Sequence, residues 1–145
     1  MIILDTTVLI YAVGEAHPLR ESCISILSAH RDGTIDAVTT VEVIREFTHV
    51  YARRRDRAAA MTLAFHYADA LPLLETTATD LRRGLGLFVR HPELGAFDAV
   101  LVAVALSRDE AMLISADRAF GVVPGLRWID PASADLSTLL RPTSP

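Results

Sequence analysis

Short apolar runs alternate along this chain with longer segments of helical periodicity, and the first run sets the pattern. Residues 1–4 are apolar, Asp5 ends the run, and a second apolar segment begins at Val8. A short apolar run that stops at a polar residue predicts a buried strand, and the segment after it predicts a helix. Asp5 is therefore predicted to lie at the carboxyl end of a strand, where open α/β sheets bind their ligands.

The same alternation continues to about residue 130. Further short strands are predicted at 35–38, 72–75, 111–115 and 126–129, with pairs of helices between the first four strands. This order predicts an α/β fold of three layers, in which a mostly parallel sheet of four to five strands is flanked by helices. One alanine-rich helix pair, on either side of the arginine run at 53–57, is predicted to project from this sheet.

Length and composition favour one globular domain. The chain has 145 residues and is 51% hydrophobic, which is enough for a sizeable core. The pattern assigns residues 1–130 to this domain. Residues 131–145 are rich in proline, serine and threonine and are predicted to be a loosely held tail.

The cellular setting is predicted from what the sequence lacks. Every apolar run is shorter than the roughly 18 residues that a membrane span needs, so no membrane association is expected. The amino terminus carries Asp5 and no basic segment, which is unlike a secretory signal. Cys23 is the one cysteine and falls on an apolar helical stripe, so we interpret it as a core residue in a reducing, cytoplasmic protein.

The charge composition excludes several chemistries. The net charge is −4, which argues against binding nucleic acid by bulk charge alone. All 14 basic residues are arginine, so the chain has neither a Schiff-base lysine nor a P-loop lysine. A polyanionic substrate would therefore need a local arginine patch or a bridging metal ion.

Four acids share one kind of position, because each follows a predicted strand or begins a predicted helix. They are Asp5, Glu42, Asp98 and Asp117. In a parallel sheet such positions lie along one edge, so the four side chains are predicted to converge. Carboxylates within a few ångströms of one another persist only if protons or a cation neutralise them. Oxygen ligands without paired histidine or cysteine indicate Mg²⁺, with Mn²⁺ as a substitute.

Each acid also has a purely structural explanation. Thr39 and Glu42 have the spacing of a capping box, and Asp98 is in the first turn of its helix, where the dipole favours it. Glu46 lies one turn after Glu42 on the polar side of the same helix, and we interpret it as an exposed helix residue. Under this hypothesis the chain is a noncatalytic partner-binding module on the same scaffold.

A metal held by carboxylates on an acidic protein favours cleavage of a phosphodiester. The ion offsets the charge of the substrate, lowers the pKa of a bound water and stabilises the leaving oxygen. One or two ions could do this, and the sequence leaves the number open. A phosphatase is disfavoured, because the chain has no lysine and its second residue after Asp5 is Thr7 rather than aspartate.

Arginines on predicted helix faces are the candidates for holding a nucleic acid. Guanidinium groups pair bidentately with phosphate, although a solvated helix surface explains such residues equally well. The candidates are Arg53, Arg54, Arg82, Arg83 and Arg118.

Four segments together resemble the PIN-domain ribonucleases of the VapC toxin type. They are residues 3–11, 39–42, 97–103 and 114–120. The resemblance implies a PIN-like fold and Mg²⁺-dependent endoribonuclease activity, in which a metal-activated water cleaves RNA. It also implies a cognate antitoxin, as in toxin–antitoxin systems, and a homodimer.

Carried onto this sequence, the resemblance assigns roles to six residues. Asp5, Glu42, Asp98 and Asp117 become the catalytic quartet that binds the metal, and Asp117 is the one that the family most often dispenses with. Thr7 and Ser115 match positions for small polar residues near the metal. Relatives often have asparagine or serine where this chain has Thr7.

Overall fold

The computed structural model describes residues 1–141 and contains one sheet of five strands. The strands are β1 (Ile2–Leu4), β2 (Ala37–Thr40), β3 (Leu73–Leu74), β4 (Met112–Ile114) and β5 (Arg127–Ile129). Their spatial order is β3-β2-β1-β4-β5, and every neighbouring pair is parallel. The predicted α/β class and parallel sheet are confirmed.

Helices connect the strands and flank the sheet. They are α1 (Thr6–Val13), α2 (Arg20–Arg31), α3 (Val41–Arg54), α4 (Arg57–Ala70), α5 (Ala78–Arg90), α6 (Ala96–Leu106) and α7 (Ala134–Leu139), with a 3₁₀ helix at Arg118–Val122. Helix α3 packs on α4 and α1, while α5 packs on α6. The Tyr67 hydroxyl of α4 donates a hydrogen bond to the Leu9 carbonyl at 2.9 Å, which ties the α3–α4 pair to α1. Within residues 1–141, no helix has both the length and the apolar character to cross a membrane.

The central position of β1 explains why the first apolar run is buried. Ile3 pairs with Val38 of β2 on one side and with Leu113 of β4 on the other, and its side chain is inaccessible to solvent. The Asp5 backbone N–H continues this ladder by donating to the Ile114 carbonyl at 3.1 Å. The carboxyl ends of β1 and β4 are therefore level with each other.

Two helix starts show how far local spacing can be trusted. Thr77 and Asp80 form the capping box that their spacing predicts, with both reciprocal hydrogen bonds present. The box predicted for Thr39 and Glu42 does not form, because Thr40 is the cap and accepts from the Val43 N–H at 3.2 Å. The Thr39 hydroxyl instead donates to the Leu4 carbonyl in the neighbouring strand.

The carboxyl-terminal segment is more ordered than its composition predicts. Residues 134–139 form α7, and Leu136 is buried with 4% of its surface exposed. An apolar residue every third or fourth position is sufficient to anchor a short helix on the core. The last four residues of the predicted tail, 142–145, lie outside the described part of the chain.

Candidate active site at the carboxyl end of the sheet

Asp5 is the most buried acid at this edge of the sheet, with 3% of its surface exposed. Its Oδ2 accepts hydrogen bonds from the Thr7 hydroxyl at 2.9 Å and from the Ser115 hydroxyl at 2.7 Å. It also caps α1 by accepting from the Thr7 N–H. Burial raises the pKa of Asp5 above its ordinary value, and these hydrogen bonds oppose the shift without cancelling it.

Thr7 and Ser115 join Asp5 to the end of β4, as small polar residues beside a metal ligand would. The Thr7 hydroxyl accepts from the Ala116 N–H at 3.0 Å, and the Ser115 hydroxyl accepts from the Asp117 N–H at the same distance. Asp117 in turn caps the 3₁₀ helix by accepting from the Ala119 N–H. Two hydroxyls therefore hold Asp5 and Asp117 on adjacent chain segments.

Asp98 completes this group from the first turn of α6. Burial, together with the negative charges of Asp5, Glu46 and Asp117, raises the pKa of Asp98 to about 7, against a hydrogen bond from the Gly95 backbone. A carboxyl group whose pKa is raised both by burial and by several like charges marks a functional site. The predicted convergence of Asp5, Asp98 and Asp117 is thus found in the structure.

The fourth acid of the group is Glu46. A cavity of about 230 Å³ brings these side chains together. Its lining residues are Asp5, Thr6, Thr7, Ile10, Tyr11, Glu46, Val50, Arg54, Asp98 and Asp117. The buried Thr6 hydroxyl donates to Glu46 Oε2, which holds that carboxylate over the start of α1.

Glu42, the remaining acid of the predicted quartet, does not line the acidic cavity. It lines a separate cavity of about 350 Å³ with Thr40, Leu81 and Phe97 among its walls, and its Oε2 is buried without a hydrogen-bond partner. Glu46 and Glu42 are one turn apart on the same side of α3, so the helical period places both near this edge. The direction in which α3 leaves the sheet determines which of the two meets Asp5, and the sequence does not specify that direction.

The five candidate arginines are spread over three elements. Arg54, in the last turn of α3, is the arginine within residues 1–141 that lines the acidic cavity. Arg53 is exposed beside it, Arg82 and Arg83 are exposed on α5, and Arg118 is exposed directly after Asp117. A single guanidinium at the rim of four carboxylates is placed to meet a phosphate that approaches them.

The donor set suits a hard divalent cation. All four acids offer carboxylate oxygen, which Mg²⁺ and Mn²⁺ prefer. In the described part of the chain, no three acidic, histidine or cysteine side chains already have the geometry of a metal cage. Mg²⁺ does not require such a cage, because it keeps several waters and commonly binds through one or two carboxylates.

The remaining ionisable candidate from the sequence is inert. Cys23 is inaccessible to solvent in the core, and burial raises the pKa of its thiol to about 12. This confirms its interpretation as a core residue.

Comparison with known proteins agrees with the fold. The PIN domain family profile matches residues 2–126. The chain is 46% identical over 145 residues to Ribonuclease VapC7 of Mycobacterium tuberculosis (strain ATCC 25618 / H37Rv), covering 97% of this chain and 98% of that protein. It is 31% identical over 132 residues to Ribonuclease VapC13 of the same strain, covering 88% and 98%.

Solved structures show the same architecture at low sequence identity. VapBC2 from Rickettsia felis, solved bound to a DNA fragment from their promoter, matches with a TM-score of 0.69 and 15% identity over 90% of this chain and 98% of that one. Mycobacterium tuberculosis VapC20, described as a sarcin-ricin loop cleaving toxin, matches with a TM-score of 0.68 and 17% identity over 88% and 99%. The chain belongs to the PIN domain family and, within it, to the VapC ribonucleases.

Proposed function

We propose that this protein is a Mg²⁺-dependent endoribonuclease that acts as the toxin of a VapBC-type toxin–antitoxin pair. The observation that supports this most directly is the shared cavity of Asp5, Glu46, Asp98 and Asp117, in which the pKa of Asp98 is raised to about 7 by burial and then by the other three charges. Such repulsion is relieved when a divalent cation binds, so the site is built to be stable in its loaded form.

Under this proposal each residue has a separate task. Asp5, Asp98 and Glu46 would bind the ion, each directly or through one of its waters, and Asp117 would do the same. Thr7 and Ser115 orient the Asp5 carboxylate, and Arg54 holds the phosphate of the RNA. Bound there, Mg²⁺ or Mn²⁺ offsets the charge of the phosphodiester and lowers the pKa of the water that attacks it.

A matched pair of substitutions on α3 tests the site. We expect Glu46→Gln to reduce Mg²⁺-dependent cleavage of single-stranded RNA at least a hundredfold, a loss typical of removing one electrostatic catalytic group. Glu42→Gln, one turn away, is expected to leave kcat/KM within a fewfold of the parent. Quantitative gel assays with and without EDTA would measure both, and the reverse pattern would restore Glu42 as the metal ligand.

The noncatalytic partner-binding module has one observation in its favour. Asp5 and Asp117 do cap helices, as a purely structural role requires. Calorimetric titration with Mg²⁺ discriminates the two functions: a nuclease binds the ion and loses that binding in Asp98→Asn, whereas a module of capped helices binds none.

A homodimer and an antitoxin complete the proposal. Helix α5 exposes four apolar side chains on one side, namely Leu81, Leu85, Phe88 and Val89. Exposed apolar surface of this kind suits a symmetric contact between two copies. Light scattering is expected to show a dimer that Leu85→Glu converts to a monomer, while Phe65→Glu on α4 leaves it intact. The antitoxin is tested by mixing this protein with the protein encoded by the neighbouring gene. Under the proposal the two bind each other and RNA cleavage is blocked.

A further inference from the structure

A stacked pair of aromatic rings begins at the acidic cavity. Tyr11 lines this cavity from the last turn of α1. His17, in the loop between α1 and α2, stacks on it with ring centroids 4.0 Å apart and an interplanar angle of 6°. The metal site uses neither ring, so their parallel arrangement calls for its own explanation.

The histidine ring is held in place and remains open on one side. His17 Nδ1 accepts a hydrogen bond from the Leu19 N–H at 3.1 Å, which restrains rotation of the ring. One face is covered by Tyr11, yet His17 is an exposed residue. The second face of the imidazole is therefore presented to solvent as a flat, preoriented surface.

This surface is within reach of a nucleotide whose phosphate lies at the acids. Tyr11 follows Asp5 by six residues along one helix, which corresponds to a rise of about 9 Å. Arg54 lines the acidic cavity together with Tyr11, so a cation, an aromatic ring and the acids share this cavity. A cation and an aromatic surface beside one another are the two groups that bind the phosphate and the base of a single strand.

We propose that Tyr11 and His17 form a base-stacking platform. An unpaired base next to the scissile phosphate stacks on the open face of His17, and Arg54 contacts the phosphate between that base and the acidic cavity. Tyr11 is a positioning residue that supports the imidazole from behind. The proposal rests on the proposed nuclease function and deepens it: the substrate must be single-stranded at this position, with little selection among bases, because every base has a π face.

The experiment separates stacking from folding and from chemistry. Binding of a fluorescent single-stranded RNA is measured by anisotropy in an Asp5→Asn background, and cleavage is measured in the parent protein. We expect His17→Ala to weaken binding about tenfold, or about 1.4 kcal/mol, which is within the range for stacking one base on an aromatic ring. His17→Phe retains the platform and is expected to bind within twofold of the parent.

Abasic nucleotides identify the stacked base. Abasic sites are placed one at a time along the RNA. The one at the stacked position should weaken RNA binding when His17 is present, and His17→Ala should cause no further loss of affinity for that RNA. His66→Ala, which removes an exposed histidine on α4, is the matched control and should change nothing.

Three results of the binding measurements overturn the platform. The first is equal RNA affinity of the Asp5→Asn protein with and without His17→Ala. The second is a loss of affinity that is the same at every abasic position, and the third is no measurable RNA binding by the Asp5→Asn protein. Failure of the parent to cleave any RNA overturns the nuclease function instead, and it is read from the separate cleavage arm.

Discussion

Two groups of aspartates in this molecule have pKa values that are shifted in opposite directions. Asp5 and Asp98 lie at the carboxyl end of the sheet, where burial raises the pKa of both. Asp80, in the first turn of α5, is 2% exposed, yet its pKa is lowered. The environment of Asp5 and Asp98 therefore disfavours the charged carboxylate, whereas the environment of Asp80 favours it.

The partners account for the difference. Burial raises the pKa of Asp80, but hydrogen bonds from the Thr77 backbone and from the Ser107 and Thr77 hydroxyls, together with the Arg108 charge, outweigh it. Arg108 lies 3.7 Å from Asp80 and also donates to the Glu75 and Val104 carbonyls. Asp98 has other carboxylates as its charged neighbours. We therefore interpret Asp80, which is paired with a cation, as a structural residue. Asp98, whose charged neighbours are carboxylates, is interpreted as a ligand-binding residue.

The largest expected effect is loss of RNA cleavage on substitution of an acid at the carboxyl end of the sheet. Asp5→Asn should reduce RNA cleavage at least a hundredfold, because it removes a charge that binds the ion. The metal-free variant is expected to be as stable as the parent or more so, since a buried repulsion is removed with little change in shape. Cleavage assays and urea unfolding check both statements, and cleavage at the level of the parent would show that Asp5 is structural.

The second effect concerns the stability provided by the ion pair of Asp80 with Arg108. Arg108→Ala should lower the free energy of unfolding by about 2–3 kcal/mol, because it leaves Asp80 buried without its cation. Cleavage per folded molecule should be unchanged. Arg31→Ala is the control, because its pair with Asp32 is 3.0 Å long but largely exposed, and the substitution should leave the free energy of unfolding almost unchanged. Equal costs for the two variants would contradict the distinction.

The third effect is a dependence of stability on pH with opposite signs in the two groups. The pKa of Asp98 rises from 3.8 in the unfolded chain to about 7 in the folded one, so its contribution falls as the pH rises between these values. Because the folded pKa of Asp80 lies below 3.8, its contribution is present above that pH and is lost on acidification through the folded pKa.

Urea unfolding of the metal-free protein from pH 3 to 8 would measure this. Asp98→Asn should gain about 1–2 kcal/mol over the parent at pH 8 and nothing near pH 4. Asp80→Asn should lose stability at pH 8 and approach the parent at the acid end. A gain by Asp98→Asn that does not change with pH would mean that its charge is not the cause.

The smallest effect tests the hydroxyl that supports Asp5. Ser115→Ala removes a donor 2.7 Å from Asp5 Oδ2 and should raise the pKa of that carboxyl further. We expect a loss of about 1 kcal/mol of stability and weaker Mg²⁺ binding. Ser25→Ala is the control, because the Ser25 hydroxyl bonds only to its own helix, at the Glu21 carbonyl. Calorimetric titration of both variants provides the measurement.

The sequence by itself was sufficient for features that depend on neighbours along the chain or on the rules of parallel sheets. The apolar run before Asp5 predicted a buried strand, and the order of elements predicted the sheet. Asp5, Asp98 and Asp117 were predicted to meet because carboxyl strand ends share one edge. The Thr77–Asp80 capping box follows from local spacing as well, because both partners lie within one helical turn.

The tertiary structure decided which residues complete these local arrangements. Glu46, rather than Glu42, joins the other acids, because the packing of α3 on α1, with the Thr6 hydroxyl bonded to Glu46, selects one of two carboxylates on the same helix side. Arg108 neutralises Asp80 from 28 residues further along the chain. Leu136 anchors a segment whose composition predicted a loose tail. In each case the partner is distant in sequence, and packing of the elements, which no local pattern encodes, determines its identity.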